Sequence, residues 1–202
     1  MIKEGSVFMI KITNLEQIKE IKLSENTLFY IYGKTGRGKT YFSKELIKQN
    51  KQEAIYTTFE EISQNISNDK YMNNLLEKDF IIIDDEIKLI EQKEMHCISI
   101  GRILEEIKNR KIGIIIIGSL SPKELKLRKT SLVEFILSGE QIEICYDIES
   151  RIKIAKEYCE QSKIEINENI IKAIVAEENI GKIKGLINQS NFGDASKNYM
   201  FL

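Results

Sequence analysis

The segment from Gly33 to Thr40 has residue types and a spacing that indicate chemistry. It reads Gly-Lys-Thr-Gly-Arg-Gly-Lys-Thr and matches the pattern G-x-x-x-x-G-K-[ST] in full. Glycines let such a loop curl so that backbone N–H groups point at phosphate oxygens. Lys39 can reach the β- and γ-phosphates, and the Thr40 hydroxyl can ligate Mg²⁺. The segment therefore predicts a phosphate-binding loop for ATP or ADP with Mg²⁺. We expect the nucleotide to contact Gly33, Lys34, Thr35, Gly36, Arg37, Gly38, Lys39, Thr40 and Tyr41.

Two carboxylates follow a second apolar run, Phe80–Ile83. A buried parallel strand delivers such residues to the carboxyl edge of its sheet, where ligands bind in open α/β folds. Asp84 would hold Mg²⁺, directly or through water, beside Thr40. Asp85 would act as a catalytic general base that polarises the attacking water.

A third apolar run, Ile114–Ile117, ends at Gly118 and Ser119. A polar side chain at this strand tip could touch the γ-phosphate or the attacking water, so Ser119 is a second catalytic candidate. A plain turn between strand and loop is the alternative. His96 is the one histidine of the chain, and no Ser-His-Asp or Cys-His spacing accompanies it.

The elements that must position these candidate site residues are short apolar runs that alternate with longer amphipathic stretches. The runs are bounded by turn residues and rich in Ile, Tyr or Phe, as expected for strands buried on both faces. Between them lie stretches of helical spacing, such as the one that carries Ile100, Leu104 and Ile107. This alternation predicts an α/β fold with a parallel sheet covered on both sides. The runs are Leu28–Tyr32, Ala54–Tyr56, Phe80–Ile83, Ile112–Ile117 and Ile142–Cys145.

The pattern changes after Tyr146 and becomes helical throughout. Asp147, Asn167 and Asn179 each precede a stretch of helical apolar spacing, and each is a residue type that caps helix N-termini. We therefore predict an α/β body over residues 1–146 and a small helical lid over residues 147–202. Residues 1–26 suggest a short strand and a helix or loop at the body's edge, whereas residues 188–202 have too little pattern to assign.

Composition limits the remaining function classes. The 202 residues carry 30 Lys and Arg against 31 Asp and Glu, so the net charge of −1 argues against strong direct DNA binding. The three cysteines form no CxxC pair, which disfavours a zinc site or a disulfide framework. No apolar run approaches the ~20 residues that span a bilayer, so we expect no membrane association and a cytoplasmic location.

The order of these elements resembles AAA+ ATPases, in particular the DnaA-like family of bacterial replication initiators and their relatives. The resemblance implies a parallel-sheet P-loop AAA+ body with an all-helical lid. It spans nearly the whole chain and is more specific in the body than in the lid. The matching segments are Leu28–Gly33, Ile55–Glu61, Ile82–Asp85, Ser121–Leu125, Asp147–Arg151 and Asn179–Gly185.

Three positions depart from the family's pattern. Glu134 stands where the family has an Arg that acts on a neighbouring subunit's ATP, and Ser119 replaces the usual sensor Asp. Gly181 stands where the lid normally carries a sensor Arg, so Lys182 beside it is the lid residue we expect at the nucleotide. An arginine finger is worth about 10³–10⁵ in rate in related phosphoryl-transfer systems, so we expect ATP binding with slow or absent hydrolysis.

The resemblance also implies partners. We expect docking on a replication initiator or another AAA+ protein, and regulation of replication initiation through protein–protein contacts. Initiators continue past the lid into a DNA-binding domain, whereas this sequence ends at Leu202. Two alternatives remain open, namely a helicase loader-like ATPase acting on a replicative helicase and a non-catalytic nucleotide-sensing adaptor.

Overall fold

The structure, a computed structural model, describes residues 9–84, 94–127 and 130–197. Its centre is a six-stranded sheet in the order β1-β6-β2-β5-β4-β3, in which every pair of neighbours is parallel. The predicted α/β class is therefore confirmed. The strands are β1 (Met9–Ile12), β2 (Leu28–Tyr32), β3 (Ala54–Thr57), β4 (Phe80–Asp84), β5 (Gly113–Gly118) and β6 (Glu140–Ile144).

Helices connect the strands, and three further helices come after β6, the last strand of the sheet in chain order. Two helices, α2 and α3, fill the segment between β3 and β4, and a short 3-10 helix follows β1. The 3-10 helix spans Leu15–Glu20, and the α-helices are α1 (Lys39–Gln49), α2 (Phe59–Gln64), α3 (Asp69–Leu76), α4 (Glu94–Asn109), α5 (Pro122–Lys126), α6 (Ser131–Leu137), α7 (Ile148–Ser162), α8 (Glu168–Ala176) and α9 (Ile180–Lys197).

Strand β2 shows why the sequence segments predicted as strands are apolar throughout. Successive side chains of a strand point to opposite faces of the sheet. Tyr30 and Tyr32 belong to one buried cluster, whereas Phe29 and Ile31 belong to another. The first cluster includes residues of α2, α4 and α6, and the second includes residues of α1. Both faces are thus covered, and no polar alternation is left in the strand.

Three N-caps predicted in the second part of the chain are confirmed. The side-chain oxygens of Asp147, Asn167 and Asn179 accept backbone N–H bonds at 2.8, 3.0 and 3.0 Å from the residues three positions later. These caps begin or precede α7, α8 and α9. The last helix runs on to Lys197, through residues that the sequence pattern left unassigned.

The three C-terminal helices pack into a cluster of their own. Its buried members are Ala155, Cys159, Ile170, Ile174, Ile183 and Ile187. Ile154 and Ile180 instead join the buried cluster beneath α1, so these helices also pack against the sheet-bearing part of the chain. The division at residue 146 stays a proposal. Within the described residues, no helix is long and apolar enough to cross a membrane.

Candidate functional site

Three adjacent strands bring the predicted site to one edge of the sheet. Tyr32 at the end of β2 is in register with Gly118 of β5, and Asp84 at the end of β4 is in register with Ile117. All three strands are parallel, so their carboxyl ends meet on the same side. The phosphate-binding loop, Asp84 and Ser119 are consequently neighbours.

The loop itself has the backbone that its glycines predict. Gly36 and Gly38 have φ angles of 80° and 83°, in the left-handed region that side chains disfavour. Gly38 is the N-cap of α1 and supplies no side-chain cap. An anion at this end of α1 would therefore have no capping side chain to displace, and the helix dipole favours negative charge there.

The ammonium group of Lys39 lies over the loop. It donates hydrogen bonds to the carbonyl oxygens of Gly33 at 2.9 Å and Lys34 at 3.2 Å. The side chain is half-buried, so its charge is held next to the curled backbone. Here it can meet phosphate oxygens without a large movement of the chain.

Thr40 and Asp84 supply two oxygen atoms at the start of α1. The Thr40 hydroxyl donates a hydrogen bond of 2.6 Å to the Asp84 carboxylate. Mg²⁺ prefers oxygen ligands and usually takes one or two from protein, with phosphate and water completing its octahedron. The described residues contain no group of three His, Cys, Asp or Glu that would form a closed metal site. The pair therefore fits a magnesium ion shared with a nucleotide.

A cavity of about 520 Å³ opens over these groups. Its volume is within the range usual for small-molecule sites, about 300–1,000 Å³. It combines residues of the loop, the strand ends and α9. The lining residues are Thr35, Gly36, Gly38, Lys39, Thr40, Tyr41, Asp84, Ile117, Gly118, Ser119, Ile180, Gly181 and Lys184.

The segment Glu177–Ile180, which we call the lid strap, packs directly on the phosphate-binding loop. The Ile180 N–H donates to the Gly36 carbonyl at 2.6 Å, and the Asn179 amide donates to the Thr35 carbonyl at 3.2 Å. Glu178 forms an ion pair with Arg37. The approach is so close that a Cβ atom on Gly36 would lie 2.0 Å from Asn179 Oδ1.

Arg151 forms a hydrogen bond with the first residue of the lid strap. This side chain is only 6% exposed, and its guanidinium donates to the carbonyl oxygens of Glu177 at 2.7 Å and Asp147 at 3.4 Å. The Asn179 N–H donates to the Glu177 carboxylate, and this bond lowers the pKa of Glu177. The sequence contained Arg151 in a family-like segment, yet nothing in its spacing indicated this contact.

Tyr41 lines the cavity but directs its hydroxyl to α7. The hydroxyl donates a hydrogen bond of 2.7 Å to the Glu157 carboxylate. Burial raises the pKa of Tyr41 well above its usual range, and the hydrogen bond and charge of Glu157 raise it further. The phenol therefore stays protonated at neutral pH and joins α1 to α7.

The structure brings most of the predicted site residues together and separates others. Gly33 and Lys34 contribute carbonyl oxygens to Lys39, whereas Arg37 faces Glu178. Asp85 lies outside the described residues. The cavity is lined by eight of the predicted residues, namely Thr35, Gly36, Gly38, Lys39, Thr40, Tyr41, Asp84 and Ser119.

Lys182 is where structure and expectation differ. Its side chain is 69% exposed and pairs with Glu177 at 3.4 Å, outside the cavity lining. Gly181 and Lys184 line the cavity instead. The signal that could have found Lys184 is its spacing of three residues from Gly181, because such positions share a helix face.

Comparisons with known proteins agree with this architecture. A family model described as an AAA domain matches residues 25–142, which is more than half of the chain. The chromosomal replication initiator protein DnaA of Buchnera aphidicola subsp. Cinara cedri (strain Cc) is 26% identical over 186 residues, covering 85% of this chain and 42% of the relative. DnaA of Aquifex aeolicus (strain VF5) is 24% identical over 186 residues, covering 85% and 46%. The chain thus spans less than half the length of these curated relatives.

Solved structures show the same fold at low identity. Domain III of the Thermotoga maritima replication initiation protein DnaA superposes with a TM-score of 0.66 and 21% identity, covering 88% of this chain and 82% of that one. The AMPPCP-bound DnaA of Aquifex aeolicus superposes with a TM-score of 0.64 and 22% identity, covering 86% and 58%.

Proposed function

This chain belongs to the AAA domain family and is DnaA-like, and from that premise we propose that it binds ATP with Mg²⁺ in the cavity over the phosphate-binding loop. The observation that carries the proposal is the convergence of Lys39, Thr40 and Asp84 at one edge of the sheet. A cation, a hydroxyl and a carboxylate beside a helix N-terminus match the charges and ligands of a magnesium triphosphate.

Within this proposal each residue has a defined task. Lys39 exchanges the carbonyl oxygens of the loop for phosphate oxygens, and Thr40 and Asp84 turn their oxygens to Mg²⁺. Ser119, at the cavity edge, contacts the γ-phosphate or the attacking water. Asp85 is proposed as the base for that water, since it follows Asp84 directly in the sequence. The body is assigned to residues 1–146 and the lid to residues 147–202, with the nucleotide between them.

The proposed biological role is nucleotide-dependent docking on a replication initiator, which would regulate initiation through protein–protein contacts. Support comes from the two curated DnaA relatives, which are similar over 85% of this chain. A nucleotide analogue is bound in one DnaA structure of similar fold. Because the lid strap contacts the phosphate-binding loop directly, a bound nucleotide can alter the surface that a partner meets.

A capture experiment tests this role. The protein is immobilised and offered purified DnaA or, in a parallel arm, a purified replicative helicase, each with ATP, with ADP or without nucleotide. We expect capture with ATP and at least about tenfold less without it, and no nucleotide dependence for Lys39→Ala. Absence of capture in every state would contradict the proposal, and capture of a replicative helicase instead would favour the helicase-loader reading.

A further inference from the structure

Arg37 occupies a position of the phosphate-binding loop for which the motif prescribes no residue type. Gly36 and Gly38 on either side of it line the cavity, whereas Arg37 turns to the lid strap and pairs with Glu178. The arginine side chain is only 15% exposed, and the glutamate side chain is 61% exposed. The loop thus carries a cation that is directed to the C-terminal helices and not to the cavity.

The lid strap is attached in two different ways. At its start, the Glu177 carbonyl accepts a hydrogen bond from Arg151 of α7. Its next three residues contact the phosphate-binding loop through one ion pair, from Glu178, and two hydrogen bonds, from Asn179 and Ile180. The strap can therefore lift from the loop by turning about Glu177, which stays held by α7.

Helix α7 has attachments of its own and need not move with the strap. The Leu15 N–H donates to the Ser150 hydroxyl at 3.2 Å, near the start of the helix. The Tyr41 hydroxyl donates to the Glu157 carboxylate at 2.7 Å, in its second half. Lifting of the strap leaves both of these bonds intact, so its cost lies in the contacts between strap and loop.

Ile180 covers the loop at the start of α1. Its Cδ1 atom lies 2.8 Å from the place of a Cβ atom on Gly38, and the Tyr146 ring lies 3.1 Å from the same point. Within the described part of the chain, the Tyr146 hydroxyl is buried without a hydrogen-bond partner, which is unfavourable. Withdrawal of Ile180 would admit water beside this ring. The attachments of the strap to the loop must therefore offset a contribution that favours opening.

We propose that the Arg37–Glu178 ion pair is a latch that holds the lid strap on the phosphate-binding loop and sets how fast nucleotide enters and leaves the cavity. The cavity is lined by the loop on one side and by Ile180 and Gly181 on the other, so lifting the strap widens it. This inference rests on the proposed function and adds a means of regulating the same site.

The experiment is stopped-flow fluorescence with ADP that carries a methylanthraniloyl label on its ribose, in Mg²⁺, on the wild-type protein and on Glu178→Gln. We expect Glu178→Gln to speed association and dissociation alike, by roughly three- to tenfold, between the effects of an exposed ion pair and a buried charge-assisted hydrogen bond. The dissociation constant should change by less than about twofold, because the latch acts on the path to the site and not on the bound nucleotide.

Glu168→Gln is the matched control. This carboxylate also belongs to the C-terminal helices, but it pairs with Lys172 on its own helix, at 3.8 Å. Its substitution should change neither rate. Thermal unfolding checks that each variant is folded.

A double-mutant cycle assigns the effect to the ion pair. In the background of Arg37→Gln, the further change Glu178→Gln should alter the two rates by less than about 1.5-fold, since no pair is left to break. The latch is overturned by unchanged rates in Glu178→Gln, by faster dissociation with unchanged association, or by an equal acceleration in the Arg37→Gln background or in Glu168→Gln.

Amide hydrogen exchange without nucleotide measures the lifting of the strap itself. The Ile180 N–H, which donates to the Gly36 carbonyl, should exchange roughly three- to tenfold faster in Glu178→Gln than in the wild-type protein. Unchanged exchange would overturn the latch alone. Failure of the wild-type protein to bind the labelled ADP would overturn the proposed function and, with it, the role of the latch in nucleotide entry.

Discussion

The Thr40 hydroxyl and the Asp84 carboxylate, 44 positions apart in sequence, are joined by a hydrogen bond of 2.6 Å. The bond links the first turn of α1 to the end of β4, and both residues line the cavity. In this state each group satisfies the other, so neither is left as an unpaired polar atom. A magnesium ion that binds here must replace this bond with two metal–oxygen contacts, and the substitution of either residue should therefore act on metal dependence first.

Asp84→Asn is predicted to remove most of the magnesium dependence of ATP binding. The amide oxygen can still accept from Thr40, so the fold should persist, but the negative charge that attracts Mg²⁺ is lost. We expect the wild-type affinity for ATP to fall at least about tenfold when a chelator removes Mg²⁺, and the variant to show less than about a threefold difference. Calorimetry with and without chelator measures both. Asp69→Asn, an exposed carboxylate at the start of α3, is the control, and an identical response of the two variants would contradict the metal assignment.

Lys39→Ala is predicted to abolish or strongly weaken ATP binding. The substitution removes the ammonium held over the loop by the carbonyls of Gly33 and Lys34. A charge-assisted contact of this kind is worth about 1.5–3 kcal/mol, which corresponds to roughly ten- to hundredfold in affinity. Nucleotide-dependent thermal shift or calorimetry provides the measurement. Lys48→Ala, an exposed lysine on the last turn of the same helix, should bind as the wild type does; wild-type affinity in a folded Lys39→Ala protein would refute the phosphate-loop assignment.

Gly36→Ala is predicted to destabilise the protein by about 1–3 kcal/mol and to weaken nucleotide binding, because a left-handed residue with a side chain is strained. The added methyl group would also collide with Asn179 and push the lid strap from the loop. Chemical denaturation measures the free energy of unfolding.

Gly185→Ala is the matched control for that measurement. This glycine is exposed within α9, and nothing lies within 4 Å of a Cβ atom placed there. The free energy of unfolding should rise by about 0.5–1 kcal/mol, since alanine is the better helix former. Equal effects of the two substitutions would show that contact with the lid strap is unimportant.

Turnover is predicted to be slow and independent of protein concentration. Glu134 is exposed on α6, and a carboxylate brought near a neighbour's triphosphate would repel the developing charge rather than stabilise it. The specific ATPase rate should therefore stay flat across a wide concentration range, with Lys39→Ala as the baseline. A steep rise would mean that another cation acts between subunits; Arg128 and Lys129, which lie outside the described residues, are the nearest in sequence.

Duplex DNA is predicted to bind weakly at physiological salt. The chain has 30 cationic and 31 anionic side chains, so few counterions would be released on contact with the phosphate backbone. Fluorescence anisotropy with a labelled duplex should give no submicromolar affinity at about 150 mM salt. Sequence-selective submicromolar binding by the purified chain would contradict this expectation.

Much of the fold was present in the sequence because its signals are local. Strand β2 was predicted with its observed bounds, since five consecutive apolar residues ahead of a glycine leave little choice of element. The caps at Asp147, Asn167 and Asn179 were readable because a capping side chain acts within three residues of its own position. The phosphate-binding loop was identifiable for the same reason, being a contiguous motif whose backbone shape depends on its own glycines.

The sequence by itself thus determined which elements form and where a phosphate group would bind. Only the tertiary structure decided which side of α9 faces the phosphate-binding site. Ile180, Ile183 and Ile187 are all buried and form an apolar stripe on α9. Lys182 and Lys184 are the same residue type, so the sequence does not show which of the two lies at the site. Packing of the stripe against the sheet-bearing part of the chain and against α7 and α8 sets the rotation of α9, which places Lys184 in the cavity lining and Lys182 outside it. That rotation depends on contacts between segments far apart in the chain, so the spacing within α9 shows which residues share a face but not which face meets the site.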